Sequence, residues 1–201
     1  RACELVEGGI KGGDTSVDTR LHTRAGSEVR VMKLQVVGCS PHNASVAVRE
    51  KLAFSPDQAR VALDQLRQRF PRSEAVVLST CNRVEIIACA EGEAGNAIPD
   101  MVQFLAHYHQ KPHSQIEPYL YQHQQGAVIR HLFRVASSLD SMIVGEAQIL
   151  GQIKEAYAIA RNAGTLRGPL DEALTRSFHV AKRVRTETGI DRKSTRLNSS
   201  H

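Results

Sequence analysis

Ala75-Val76-Val77-Leu78-Ser79-Thr80-Cys81-Asn82-Arg83-Val84-Glu85-Ile86-Ile87-Ala88-Cys89-Ala90 is the stretch on which the fold turns. It holds two strand-like runs in succession. Ala75 to Leu78 is short and apolar. From Val84 onward, Val84, Ile86, Ala88 and Ala90 alternate with Glu85, Ile87 and Cys89, the two-residue period of a half-buried strand. A thiol where such runs meet can sit at the mouth of a sheet instead of inside it. Arg83, two residues on, is placed to point the same way and to favour a thiolate by its charge. That arrangement suits a nucleophile. The opposing reading is a small buried hydrophobe, because free cysteine is among the most buried residue types.

Working outward, residues 32–37 read as a strand. Ser55-Pro56-Asp57-Gln58 is a helix start, with Ser as N-cap, Pro at the first helical position and Gln at the third. Ala59, Ala62, Leu63, Leu66 and Phe70 continue it as one apolar stripe, which Pro71 ends. Strands are expected at about 74–79 and 83–90, a helix at 98–109 and a strand at 116–121. Helices are expected at 126–137 and 146–163, with Gly164 as C-cap. A last helix begins near Leu170. Asp171 and Glu172 near its start, and Lys182, Arg183 and Arg185 late, suit the helix dipole. The order β-α-β-β-α-β with further helices predicts an α/β (α+β) chain, a ferredoxin-like antiparallel sheet covered by helices.

Composition narrows the class. The chain has 201 residues, 41% of them hydrophobic, but no Trp and only 4% aromatics, so aliphatic side chains must do most of the packing. No run of about 18 apolar residues suggests a membrane span. Cys3, Cys39, Cys81 and Cys89 lack the spacing of a metal or redox motif, which favours a reduced, cytoplasmic setting. The net charge of +5 is compatible with a nucleic-acid partner without arguing for one. His107, His109 and His113 have no Cys or carboxylate at a zinc spacing and read as a solvated loop at a helix end, so no metal is assigned. Gly8-Gly9 and Gly12-Gly13 are not a dinucleotide fingerprint, and no Gly-x-Gly-x-x-Gly follows a strand anywhere.

Four motifs resemble one family. Leu78-Ser79-Thr80-Cys81-Asn82-Arg83-Val84-Glu85 is similar to the active-site motif of glutamyl-tRNA reductases. Gly38-Cys39-Ser40-Pro41-His42-Asn43-Ala44-Ser45 with Val48 to Phe54 resembles their N-terminal segment. His131 to Ser141, running into Gly145-Glu146-Ala147-Gln148-Ile149-Leu150-Gly151-Gln152, resembles their longest motif. Lys182-Arg183-Val184-Arg185-Thr186-Glu187-Thr188 resembles the segment before their cofactor domain.

The resemblance implies that Cys81 attacks glutamyl-tRNA to give a thioester. NADPH then reduces it to glutamate-1-semialdehyde, the first step of tetrapyrrole (5-aminolevulinate) synthesis. It further implies substrate contacts from Thr80, Asn82 and Arg83, from Glu85 to the substrate amino group, and from Ser141, Glu146, Ala147, Gln148 and Gln152 around the glutamate. Read from the residues alone, Gln148 and Gln152 are polar positions one turn apart on a helix, and Arg83 and Glu85 an exposed strand pair. His131, which alone reads as a structural histidine beside Val128 and Val135, matches the family's active-site histidine; its role stays open between orientation and proton handling. Ser138 departs from the glycine usual there, at a cost if the backbone needs a positive φ.

On this reading residues 1–31 are a non-native or disordered leader before Met32, and 32–165 form the catalytic glutamyl-tRNA-binding domain. Residues 166–190 begin a long connecting helix whose apolar side is expected to lack part of its cover. Residues 191–201 are an artefactual tail, and the NADPH domain is absent. The implied partners are glutamyl-tRNA, a second copy in a homodimer, and the aminomutase that takes the semialdehyde. The alternative is a non-catalytic RNA-binding or regulatory module of the same fold.

Overall fold

The computed structural model describes residues 32–91, 97–140 and 148–188. The expected leader and tail, and the expected substrate contacts Ser141, Glu146 and Ala147, lie outside them.

Strand β1 (Met32–Cys39) leads through helices α1 (Val46–Leu52) and α2 (Pro56–Arg69) to β2 (Glu74–Ser79) and β3 (Val84–Glu91). Helix α3 (Ile98–Tyr108), a turn of helix α4 (His113–Ile116) and a 3-10 turn at Glu117–Tyr119 precede β4 (Tyr121–Gln124). Helices α5 (Gly126–Ala136), α6 (Gln148–Asn162) and α7 (Pro169–Thr188) follow. The four strands form one antiparallel sheet in the order β2-β3-β1-β4, which is the ferredoxin-like arrangement.

Local chemistry sets the element ends. Ser55 Oγ accepts from Gln58 N at 3.2 Å while Gln58 Oε1 accepts from Ser55 N at 2.8 Å, a capping box that starts α2. Gly164, at φ 69°, ends α6, and Thr165 N donates back to Ala160 O at 3.0 Å. Helix α5 ends the same way at Ser138, whose φ is 59°, with Leu139 N donating to Arg134 O at 2.9 Å. The position where a glycine is usual thus holds a serine in the left-handed region.

Three expectations are corrected. The strand expected at 116–121 is instead the α4 and 3-10 turns, because Pro118 has no N–H to give a ladder; pairing starts at Tyr121. β3 is not half-buried: every residue from Val84 to Ala90 is buried, so helices cover both faces. The apolar stripe of α7 is not left open. Leu170, Leu174 and Ala181 are fully buried, with α5, α6 and β3 packed against the helix.

Helix α1 was not expected. It is two turns long, and Arg49 is buried beneath it, donating to Ala44 O at 2.6 Å. The start of α7 is held by one carboxylate. Glu74 Oε1 accepts from Arg167 N and Gly168 N at 2.7 and 2.6 Å, and Oε2 from Leu170 N at 2.9 Å. His109 does not lie in a solvated loop; its ring packs 4.6 Å from that of Phe54, and burial, then Lys111, lowers its pKa.

Candidate active site

β2 and β3 are joined by residues 80–83, and the turn closes on itself. Thr80 N donates to Arg83 O at 2.7 Å, and Asn82 N to Thr80 Oγ1 at 3.2 Å. Ser79 faces Val84 as the last ladder pair, so Cys81 sits at the apex of a tight hairpin with its thiol exposed. The other described cysteines are buried in the sheet. Burial pushes the Cys39 thiol up to about 11, and burial with the Glu74 carboxylate pushes Cys89 up to about 12. Among the described cysteines, only Cys81 is offered to a substrate.

The apex forms one wall of a cleft. Thr80, Cys81, Asn82 and Arg83 face Gln148, Ile149 and Gln152 of α6, with Pro41, His42 and Asp140 closing it; the space is about 480 Å³ with its open mouth included. Thus Thr80, Cys81, Asn82, Arg83, Gln148 and Gln152 come together from two distant parts of the chain. The two glutamines offer amide donors and acceptors from one helix face.

Arg83 and Glu85 are not an exposed pair. Both are buried, and Arg83 Nη1 donates to Glu85 Oε1 at 2.6 Å. Nη1 also donates to Tyr121 Oη at 2.9 Å, while Nη2 reaches the Asp140 carbonyl and Oδ2, both at 2.7 Å. Its charge is balanced by two carboxylates, which cancels much of the field expected at the hairpin tip. A substrate carboxylate would have to displace Asp140 from the fork to bind there.

Glu85 Oε1 collects three donors: Arg83, the Tyr121 hydroxyl and His131 Nε2 at 2.9 Å. A carboxylate only accepts, so Nε2 carries the proton in that bond. Burial alone would raise the Glu85 carboxyl; neighbouring His131 and Arg83 and the hydrogen bonds from His131 and Tyr121 outweigh it and hold it well below the ordinary range. Burial and the Glu85 carboxylate push the Tyr121 phenol up, keeping it a neutral donor. The expectation that Glu85 touches a substrate amino group is therefore corrected: its side chain is sealed, and it acts by holding Arg83, Tyr121 and His131. His131 lies beside a second cleft and not in the wall of the first. Its ring is oriented by Glu85 through Nε2.

Sequence reasoning missed the residue that makes this network possible. Glu85 on β3, Gly38 on β1 and Tyr121 on β4 lie opposite one another in a single row across the sheet. The outer two are about 10 Å apart along that row, two strand spacings. Tyr121 reaches Glu85 only because Gly38 has no side chain between them. A Cβ there would lie 2.6 Å from Glu85 Cγ and 2.5 Å from the Val84 carbonyl oxygen. A glycine inside a strand is the signal that could have found it. Asp140 was missed as well; it holds Arg83 on one side and lies 3.7 Å from His42 Nε2 on the other.

Fold and cleft together define a ferredoxin-like α+β domain that presents a thiol at the apex of its β2–β3 hairpin. The chain belongs to the glutamyl-tRNA reductase family: the model of the glutamyl-tRNAGlu reductase N-terminal domain matches residues 37–188. It is 50% identical over 159 residues to the glutamyl-tRNA reductase of Geobacter sulfurreducens, covering 79% of this chain and 36% of that protein. Identity is 51% over 159 residues to that of Solibacter usitatus, covering 79% of this chain and 38% of that protein. Among solved structures, the glutamyl-tRNA reductase from Methanopyrus kandleri superposes with a TM-score of 0.64 at 33% identity, covering 77% of this chain and 35% of that one. The chain therefore spans a little over a third of the length of these relatives.

Proposed function

We propose that this domain performs the acyl-transfer half of the glutamyl-tRNA reductase reaction. The Cys81 thiolate attacks the ester carbonyl joining glutamate to the terminal ribose of its tRNA. The C–S bond forms, the C–O bond breaks, and the ribose oxygen leaves and takes up a proton. A glutamyl thioester remains on Cys81, so one difficult displacement is split into two easier steps. Thr80 and Asn82 line the approach to the thiol, and Gln148 and Gln152 hold the glutamyl group from across the cleft. Ser141, Glu146 and Ala147, which lie outside the described residues, are further substrate contacts in this reading.

NADPH supplies the hydride that turns the thioester into glutamate-1-semialdehyde in the whole enzyme. The described residues do not fit that cofactor: the sheet is antiparallel, and no strand runs into a Gly-x-Gly-x-x-Gly turn. No reduction step is assigned to them. The whole enzyme, in the same reading, is a cytoplasmic homodimer that passes the semialdehyde to an aminomutase. Among the described residues, no helix is long and apolar enough to cross a membrane.

One observation carries the reading: Cys81 is exposed at the hairpin apex, in a cleft with Thr80, Asn82, Gln148 and Gln152. The test uses glutamyl-tRNA labelled in the amino acid. The chain and its Cys89→Ser variant should retain label that hydroxylamine releases, while Cys81→Ser should retain none. Label trapped on Cys81→Ser would overturn the assignment.

A further inference from the structure

The wall formed by His42 and Asp140 has a second side. Beyond it lies another cleft, about 920 Å³ with its open mouth included, between β4, the 40–43 turn and the face of α5. Arg130 and Arg134 line it, one helical turn apart on α5. Neither guanidinium makes an ion pair or a hydrogen bond with another described residue, whereas Arg83, Arg161, Arg176 and Arg183 all do. The single acidic residue in the lining, Asp140, already has its Oδ2 committed to Arg83 at 2.7 Å. Glu85 lies sealed beneath, bound to Arg83, Tyr121 and His131. The other polar residues of the lining, Ser40, His42, Asn43, Tyr121, His123 and His131, add no negative charge. Counted together with Arg83, Glu85 and Asp140, the cleft keeps a surplus of one positive charge, carried by two guanidinium forks that pair with no described carboxylate.

We infer that this second cleft binds the backbone phosphates at the 3′ end of the acylated RNA, with Arg130 and Arg134 as the phosphate ligands. The inference rests on the proposed acyl transfer at Cys81 and places the nucleotide part of that substrate. Planar guanidinium forks match phosphate oxygens in pairs, and each nucleotide brings one such charge. The topology of the substrate matches the two clefts. Its reacting ester sits on the terminal ribose, and the first phosphate lies on the other side of that same sugar. The two clefts are likewise neighbours across one thin wall, with His42 and Asp140 lining both. A ribose seated over that wall would put the ester at Cys81 and its phosphate at Arg130 and Arg134.

The test separates this site from the chemistry. The probe is a fluorescein-labelled single-stranded RNA tetranucleotide with a free 3′ end, titrated into the whole chain by anisotropy. Variants are Arg130→Gln, Arg134→Gln, the double variant, and Arg60→Gln on α2 as a remote control. The double variant should bind on the order of tenfold more weakly, and the slope of log affinity against log salt should shrink by about one to two. Arg60→Gln should match the parent chain. Arg130 is exposed, so Arg130→Gln keeps the test valid if the half-buried Arg134 proves necessary for folding. A second arm measures Cys81 acylation from two donors, glutamyl-tRNA and 3′-O-glutamyl-adenosine, which has no phosphate. Slower acylation by the double variant from the first donor only supports the site. Equal binding by parent and double variant overturns the inference, as does an equal loss on both donors. Absence of acylation of the parent chain by either donor would instead refute the reading of Cys81, and the tetranucleotide result would still decide the phosphate site.

Discussion

Replacing Glu85 by Gln tests the buried network at its centre. The substitution keeps the shape and one acceptor oxygen but removes the negative charge that faces Arg83, Tyr121 and His131. Arg83 keeps Asp140, whose side chain is 23% exposed and therefore a weaker counter-charge than a sealed carboxylate. Breaking a buried ion pair from one side costs about 3 to 5 kcal/mol; the retained oxygen places the expected loss near the lower figure, about 3 kcal/mol at pH 7. The pH dependence follows from the direction of the shift. The folded Glu85 carboxyl lies below its ordinary value of 4.5, so its stabilisation is fully present above that value and is lost as pH falls towards the folded one. At pH 3.5, one unit below, the gap between parent and variant should have narrowed by about 1.4 kcal/mol. Urea unfolding followed by circular dichroism at pH 7 and pH 3.5 gives both numbers, provided the m-values agree. A loss under about 1 kcal/mol at pH 7, or a gap that does not change between the two pH values, would refute the idea that an ionised Glu85 organises the site.

Gly38→Ala should cost about 2 to 3 kcal/mol, because the new methyl meets Val84 and Glu85 at distances no real contact adopts; an unchanged melting temperature would mean that Tyr121 does not cross β1 to reach Glu85. Iodoacetamide at pH 8, followed by peptide mapping, should label Cys81 in the folded chain and leave Cys39 and Cys89 unlabelled until denaturant is added. Equal labelling of Cys89 would contradict its burial. The same two thiols should cost stability in alkali: unfolded thiols ionise from about pH 9, while the folded ones resist to about 11 and 12, so stability falls across that window. Ser138→Gly should stabilise the chain by about 0.5 to 1 kcal/mol by relieving a left-handed backbone, and a loss in denaturation midpoint would show that the serine is not strained.

The parts of this fold that were legible in the sequence are those whose causes are local. The α2 capping box is written in Ser55, Pro56 and Gln58, and the β2–β3 hairpin in two apolar runs around a polar break. Gly164 announces the end of α6 because its backbone requirement is its own. What was not legible depends on residues far apart in sequence. Helix α1 is two turns and leans on Arg49 reaching back to Ala44. The burial of Glu85 needs donors from the β2–β3 turn, β4 and α5 at once, and no window of sequence contains them. The pairing of α6 with the hairpin apex, which brings Gln148 and Gln152 opposite Cys81, was expected from resemblance and has no signature in periodicity. Asp140 was no more than one residue within the stretch from His131 to Ser141; its importance is that it stands between two clefts.

The Glu74 carboxylate at the root of α7 has a mechanical consequence. A helix of 20 residues is a rod about 30 Å long. At its root three backbone N–H groups, those of Arg167, Gly168 and Leu170, are gathered by one side chain of β2. A tilt of about 10° at that root would sweep the far end through about 5 Å. The rod is therefore aimed by this anchor at its base together with the packing of α5, α6 and β3 along it, and any tilt released by Glu74→Gln would be read out farthest from where it was made.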